Sequence, residues 1–167
     1  MSEFSTRLAC PADAAAIALI YNEGIDERLA TFETEPRSAA DIEGWLEAGF
    51  PLVVVERAGQ VVAWASAPPY RPRRPAYAGV ADFSVYVARA ARGHGAGRVA
   101  VQALLAECER RGYWKLVSRI FPENEASLAL CRSLGFREVG VYRRHAKLDG
   151  RWMDTVVVEL LIGEALE

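Results

Sequence analysis

The chain has 167 residues, of which 51% are hydrophobic, and its formal net charge at pH 7 is -2. This length and apolar content suit a single core, so one domain over residues 1–167 is expected. The slight acidity argues against a general nucleic-acid or acidic-membrane binder, because such proteins rely on a dense basic face.

The first third of the chain combines a strand with helices. In chain order the pattern predicts a strand over 3–9, a helix over 10–24, an irregular or extended segment over 28–36 and a helix over 38–49. Pro11 and Asp13 suit the first turn of the first helix, and Gly24 is a candidate for its stop. Ser38 is a favoured residue for capping the second helix.

The rest of the chain adds hairpins and two more helices. We predict a hairpin over 50–70, an exposed Pro/Arg loop over 68–77, a strand over 79–87, a helix ending before Gly112, a strand over 113–121, a helix over 124–136 and closing strands over 137–148 and 151–162. This order predicts an α/β fold of the mixed α+β kind. Its single sheet would be mixed, mostly antiparallel and of about seven strands, with helices on both faces.

The composition also bears on the cellular compartment and on metal binding. No apolar run of 18 residues and no charged-then-apolar leader is visible, so neither a membrane partner nor secretion is expected, and the cytoplasm is the default compartment. Cys10, Cys108 and Cys131 are widely spaced and form no ligand motif. We expect buried, reduced thiols and no metal site.

A glycine-rich loop lies between the strand over 79–87 and the following helix. A helix N-terminus offers unpaired backbone N–H groups that suit a phosphate, and glycines let the phosphate oxygens approach the backbone. Arg92, His94 and Arg98 concentrate positive charge there. The third glycine of a dinucleotide fingerprint and the Lys-Ser/Thr of a P-loop are missing. The loop therefore suits a pyrophosphate of another kind, or is simply a strand-to-helix turn.

The motif Arg92-x-x-Gly95-x-Gly97 resembles the Arg/Gln-x-x-Gly-x-Gly/Ala loop of GNAT N-acetyltransferases, which holds the pyrophosphate of acetyl-CoA. The segment 124–136 is similar to the last-helix signature of that superfamily. The resemblance implies the GNAT fold, acetyl-CoA as co-substrate and no metal. It implies these coenzyme contacts: Val85, Tyr86, Val87, Arg92, Gly93, His94, Gly95, Ala96, Gly97, Arg98, Asn124 and Ser133. Asn124 is equally well explained as a helix cap.

Segments 31–36, 82–88 and 147–154 narrow the resemblance to the phosphinothricin acetyltransferase branch. That branch acetylates the α-amine of small amino acids with a tetrahedral side-chain group, such as phosphinothricin or methionine sulfoximine and sulfone. Its members are usually homodimers. The resemblance thus implies a small-molecule amine acceptor, a second copy of the chain as partner, and no nucleic-acid partner.

Acetyl transfer to an amine needs a neutral amine, so a base must accept a proton. Alternation along the strand puts Asp82, Ser84 and Tyr86 on one face, and Asp82 is an isolated charge among β-formers. Asp82 matches the position of the glutamate that the family uses as general base. Its side chain is one methylene, about 1.5 Å, shorter, which favours proton removal through a water. The alternative is that Asp82 is the structural partner of an arginine or a backbone amine.

Other residues are candidates for recognising the acceptor. Arg71, Arg73 and Arg74 present planar guanidinium groups suited to a carboxylate or phosphinate, near the expected mouth of the pocket. A solvated basic loop explains them equally well. Phe32 and Glu33 resemble residues that close the pocket from the far side, and a packed aromatic beside a surface acid is their plain structural alternative.

Three positions depart from the family pattern. Cys131 stands where a tyrosine or histidine that protonates the leaving thiolate is common, and we expect it to pack in the core. Phe83 and Met153 replace polar family residues, so the acceptor pocket would be more apolar. Two alternatives stay open: acetylation of another amine (peptide, protein N-terminus or polyamine), and a non-catalytic acyl-CoA-binding module.

Overall fold

The structure is a computed structural model that describes residues 3–167, and these contain eight β-strands and four α-helices. The strands are β1 Ser5–Leu8, β2 Leu52–Arg57, β3 Gln60–Ser66, β4 Val80–Asp82, β5 Ser84–Val87, β6 Lys115–Ile120, β7 Arg137–Leu148 and β8 Arg151–Leu161. The helices are α1 Ala14–Glu27, α2 Ala39–Ala48, α3 Ala96–Arg110 and α4 Glu125–Ser133.

The strands form two four-stranded sheets, and this corrects the expectation of one sheet of about seven strands. One sheet has the order β1-β2-β3-β5 and is antiparallel throughout. The other has the order β4-β6-β8-β7, in which β4 and β6 run parallel and the remaining pairs are antiparallel. The mixed, mostly antiparallel character is confirmed. The difference arises because the predicted strand over 79–87 divides at Phe83.

Helices cover both faces of the first sheet, as predicted. Leu52, Val54 and Trp64 are buried with side chains of α1 and α2 in one cluster. The alternate residues of β2, Val53 and Val55, lie in a second cluster with α3 and α4. This division follows directly from the period-2 alternation of side chains along a strand.

The prediction that α1 stops at Gly24 is wrong. The helix continues to Glu27 and ends at Arg28, whose φ of 56° lies in the left-handed region. Gly24 has a different reason to be glycine: a Cβ there would lie 2.8 Å from the ring of Tyr86. The missing side chain therefore lets α1 approach β5 closely.

The predicted caps and turns are confirmed. The side chain of Ser38 accepts a hydrogen bond from the Asp41 N–H at 3.2 Å, and α3 is followed by Gly112 with a φ of 86°. The hairpin turns contain Gly59 and Gly150, whose φ values of 78° and 77° favour glycine.

The thiols follow the expectation only in part. Cys108 and Cys131 are buried and free, whereas Cys10 is free but exposed, so the expectation of a buried thiol is wrong at that position. Cys10 lies just before the first helical turn, where its N–H donates to the Asp13 carboxylate at 2.8 Å. Among residues 3–167, no helix has both the length and the apolar character needed to cross a membrane.

Candidate active site

An opening separates the two sheets where β5 leaves the path of β4. The Phe83 N–H donates to the Val117 carbonyl at 2.9 Å, and within residues 3–167 this is the last backbone hydrogen bond that joins the segment to β6. From Ser84 onward the strand pairs with β3 alone. We call the resulting gap the β5–β6 opening.

Backbone groups of two residues face this opening. In an antiparallel ladder, the N–H and C=O of alternate residues point at the same neighbour. The Ala88 N–H donates to the Val62 carbonyl of the first sheet at 2.8 Å. Val87 and Val85 lie one and three positions before Ala88, so they are the alternate residues that do not bond to β3. Their N–H and C=O groups point away from β3 and into the β5–β6 opening.

The glycine loop forms one wall beyond the opening. Gly93 and Gly95 have φ values of 82° and 89°, so their backbone conformation itself favours glycine. Gly95 is the N-cap of α3, a helix of 15 residues. A Cβ at Gly97 would lie 3.4 Å from both Leu130 and Val87, so α3 packs closely there against α4 and β5. The loop thus offers backbone N–H groups and the positive end of a helix dipole, which suit an anion such as a pyrophosphate.

Three adjoining cavities lie along the β5–β6 opening. The loop cavity, of about 280 Å³, lies beside the glycine loop. The central cavity, of about 60 Å³, lies between β5 and β6, and the aspartate cavity, of about 250 Å³, lies beside Asp82. Ala30 and Tyr86 line all three. The three cavities are therefore neighbours, and they lie in sequence from the glycine loop to Asp82.

Nine of the twelve predicted coenzyme contacts line the loop cavity. They are Val85, Tyr86, Val87, Arg92, Gly93, Gly95, Ala96, Gly97 and Asn124. His94, Arg98 and Ser133 line none of the three cavities. Arg98 instead donates to the Ser133 hydroxyl at 2.8 Å and so links α3 to α4. Asn124 caps α4, its side chain accepting from the Ser127 N–H at 3.3 Å, which confirms the predicted cap, and it also lines the loop cavity.

Arg92 is held by a residue that the sequence analysis missed. Both guanidinium Nη atoms donate to the Glu27 carboxylate at 2.7 Å, and its Nε donates to the Val87 carbonyl at 3.2 Å. This guanidinium also holds the pKa of Glu27 below its usual range. Glu27 lies in the last turn of α1, where the helix dipole disfavours a carboxylate without a cationic partner. Because the helix was predicted to stop at Gly24, no sequence signal pointed to this pairing.

Asp82 is partly buried and paired. Its side chain is 27% exposed, and Arg119 of β6 donates to Oδ1 at 3.1 Å. Burial raises the pKa of Asp82 above its ordinary value, while the charge and the hydrogen bond of Arg119 oppose that rise. Arg119 also lines the central and aspartate cavities and was missed by the sequence analysis. No sequence signal links it to Asp82, which is 37 residues away.

The residues predicted to bind the acceptor divide into two groups. Phe32 and Glu33 line the aspartate cavity, Phe32 in an edge contact with Phe121 at a centroid distance of 4.9 Å. The arginines of the exposed loop, Arg71, Arg73 and Arg74, line none of the three cavities. The Arg71 guanidinium carbon instead lies 5.2 Å from the ring centroids of Tyr70 and Tyr77.

The substituted family positions are apolar in their surroundings. Cys131 lines the central cavity but is buried in the core, and burial raises its thiol pKa to about 11. Phe83 is buried against Phe136, and Met153 clusters with Phe121. Within the described residues, no group of three His, Cys, Asp or Glu side chains could hold a metal ion.

The sequence matches the Acetyltransferase (GNAT) family over residues 17–136, which is most of the chain. The chain belongs to this family. Two relatives with more specific names are similar to the chain over most of its length. It is 36% identical to a phosphinothricin N-acetyltransferase of Alcaligenes faecalis, over 88% of this chain and 77% of the relative. It is 33% identical to an L-methionine sulfoximine/L-methionine sulfone acetyltransferase of Pseudomonas paraeruginosa, over 93% of each.

Solved structures agree with this assignment. A phosphinothricin acetyltransferase of Sinorhizobium meliloti, in complex with acetyl-CoA, superimposes with a TM-score of 0.90 at 31% identity, covering 98% of this chain and 90% of that one. A ribosomal-protein-alanine N-acetyltransferase of Brucella melitensis gives a TM-score of 0.90 at 36% identity, covering 95% and 99%. The protein is therefore a GNAT-fold acetyltransferase, an enzyme class that uses acetyl-CoA.

Proposed function

We propose that the protein transfers the acetyl group of acetyl-CoA to the α-amine of a small amino acid or analogue, of the phosphinothricin, methionine sulfoximine or methionine sulfone type. One observation carries the proposal: a partly buried carboxylate, Asp82, lines a cavity that adjoins the β5–β6 opening. The relatives that acetylate such amino acids support the choice of acceptor.

In this proposal the loop cavity holds the coenzyme. Backbone N–H groups over 93–97 meet the pyrophosphate, and Asn124 meets the pantetheine arm. His94, Arg98 and Ser133 contact the coenzyme beyond the cavity. The local chemistry supports this, because the loop is rich in glycine and the positive end of α3 faces it. The one carboxylate among the described residues of the lining, Glu27, is already paired with Arg92.

The reaction needs a base and a site for negative charge. Asp82 removes a proton from the acceptor ammonium through a bridging water, and the neutral nitrogen then attacks the thioester carbonyl carbon. Negative charge develops on the carbonyl oxygen, and the outward N–H groups of Val85 and Val87 are fixed donors for it. The C–S bond then breaks, the nitrogen releases its second proton to solvent as the amide forms, and the coenzyme thiolate leaves and takes a proton from solvent.

The test is thiol release from acetyl-CoA with a panel of amines, in wild type, Asp82→Asn and the control Asp26→Asn. The panel compares phosphinothricin and methionine sulfone with polyamines and with a peptide whose N-terminal residue is alanine. We expect turnover on the amino acids to fall about 10²-fold or more in Asp82→Asn, because it removes the base without changing shape. Asp26 is exposed on α1 and lines none of the three cavities, so its variant should match wild type.

A second acceptor class has one observation in its favour. The Brucella structure named for a ribosomal-protein alanine is as similar to this chain as the amino-acid acetyltransferases are. Turnover on the alanine-terminated peptide but not on the free amino acids would favour that class. Tight coenzyme binding with no turnover on any amine would instead favour a binding module, and undiminished activity in Asp82→Asn would remove Asp82 from the mechanism.

We also propose that the protein forms a homodimer through β7. This strand is the edge of its sheet and is exposed over almost its whole length. Val139, Val141 and Tyr142 on β7 and Trp152 on β8 are large exposed apolar side chains. A long apolar edge strand is a hazard unless something covers it. A second copy is the occupant that we propose.

A further inference from the structure

Arg119 occupies the place where the aspartate and central cavities meet. It lies on β6 and lines both cavities, and its guanidinium donates to Asp82 of the neighbouring strand β4. Its side chain is 38% exposed, so a ligand in the aspartate cavity can reach it.

Arg119 is the one cation among the described residues that line the aspartate cavity. The other charged residues of the lining are Glu33 and Asp82. Glu33 already pairs with an arginine of its own segment at 2.9 Å. Tyr21 and Tyr86 also line the cavity, and burial raises the pKa of each phenol, so both are neutral near pH 7.

Most of the hydrogen-bonding capacity of Arg119 is unused within the chain. A guanidinium has five N–H donors, and one of them donates to Asp82. No other hydrogen bond or ion pair joins the Arg119 side chain to a described residue. The remaining donors suit a planar, bidentate acid group.

The contact between Asp82 and Arg119 places a base and a cation side by side, since their side chains meet at 3.1 Å. In an α-amino acid the amine nitrogen and the nearer carboxylate oxygen are roughly 3 Å apart, given ordinary bond lengths. An amine that lies one water away from Asp82 therefore has its own carboxylate close enough for the Arg119 side chain to reach.

We propose that Arg119 binds the carboxylate of the acceptor and so selects α-amino acids over simple amines. This inference rests on the proposed function and names the residue that recognises its substrate class. Arg71, Arg73 and Arg74 carry the same chemistry but line none of the three cavities, so within one chain Arg119 is the better placed.

Arg119 pairs with Asp82 in the free protein and is proposed to bind the acceptor carboxylate, and this double role affects the basicity of Asp82. When its guanidinium turns to the acceptor carboxylate, Asp82 loses part of the favourable charge that stabilises its ionised form. A second carboxylate beside it acts in the same direction. Acceptor binding therefore makes Asp82 a stronger base at the moment when a proton must be removed.

The experiment compares L-methionine sulfone with its carboxamide, because the sulfone is neutral and the carboxylate is then the only acid group. The enzymes are wild type, Arg119→Gln, Arg119→Lys and the control Arg57→Gln. Arg57 also forms an ion pair at 3.1 Å, with Glu3, but lies at the end of β2 outside the three cavities. Binding of acetyl-CoA to each variant checks that the fold is retained.

At a pH on the plateau above the acid limb, we expect Arg119→Gln to lower kcat/KM for the acid by roughly 10- to 100-fold, chiefly through KM, and to change it little for the carboxamide. Arg119→Lys should recover part of the loss, and Arg57→Gln should match wild type. An equal loss on both acceptors, or no loss on the acid, would overturn the role of Arg119 while leaving the transferase intact. If wild type acetylated neither compound but another amine, the proposed acceptor would itself be wrong, and this inference with it.

Discussion

The pairing of Asp82 with Arg119 predicts a pH dependence that one substitution should move. Asp82 is active as the carboxylate, so activity falls as the pH falls through its pKa, which burial raises above the ordinary value and Arg119 partly lowers again. Arg119→Gln removes the opposing charge. The acid limb of kcat/KM should therefore move to higher pH in that variant and less in Arg119→Lys.

The measurement is a pH profile of kcat/KM with methionine sulfone carboxamide, which lacks the carboxylate that Arg119 is proposed to bind. Protonation of the acceptor amine contributes equally in every enzyme, so the shift between wild type and variant isolates the protein group. Glu33, the other acidic residue of the cavity lining, pairs with Arg37 at 2.9 Å and is not substituted in any of the three enzymes. An acid limb at the same pH in all three enzymes would mean that a group other than Asp82 titrates.

At the scale of elements, the contact of α1 with β5 depends on the absence of a side chain at Gly24. A methyl group there would lie 2.8 Å from the Tyr86 ring, which is stacked on Trp64 and cannot easily move. Gly24→Ala should destabilise the fold by about 1–3 kcal/mol, because overpacking forces shifts in the neighbours. Gly44→Ala, on α2 with nothing within 4 Å of the new Cβ, should instead stabilise by up to about 1 kcal/mol.

Urea unfolding of the two variants tests this contrast. Because both changes are from glycine to alanine inside a helix, intrinsic helix propensity favours both, and the opposite signs isolate the packing term. Equal stabilisation of the two proteins would show that α1 and β5 tolerate the methyl group.

The elements show which features were predictable from sequence. Caps at Ser38 and Asn124 and the turn at Gly150 were predictable because their chemistry is local to a few residues. The family resemblance did imply that the strand splays near residues 85–87. Side-chain alternation alone did not predict the division of the strand at Phe83, since the alternation continues through the break and only the pairing partners change. Arg119 was missed for the same reason: its partner Asp82 comes from a distant part of the chain.

At the scale of the whole molecule, the oligomeric state of a β7 variant tests whether this exposed edge strand forms the proposed dimer interface. Val141 is 53% exposed on β7, and a charged side chain there would be buried unpaired in the proposed interface. Val141→Lys should convert a dimer into a monomer in sedimentation-velocity experiments at micromolar concentration. Leu19 is 64% exposed on α1, a helix that packs against α2, β3 and β5, so Leu19→Lys adds the same charge on another element and should leave the dimer intact.

Activity measured on the same samples connects the surface to the site. Val141, on the edge strand, lines none of the three cavities, so a monomer of Val141→Lys keeps the full set of cavity residues within one chain. We expect it to retain most of its kcat/KM, because Asp82, Arg119 and the glycine loop all belong to that chain. A wild-type protein that sediments as a monomer would refute the proposed dimer. A monomeric variant without activity would instead mean that the acceptor pocket needs the second copy.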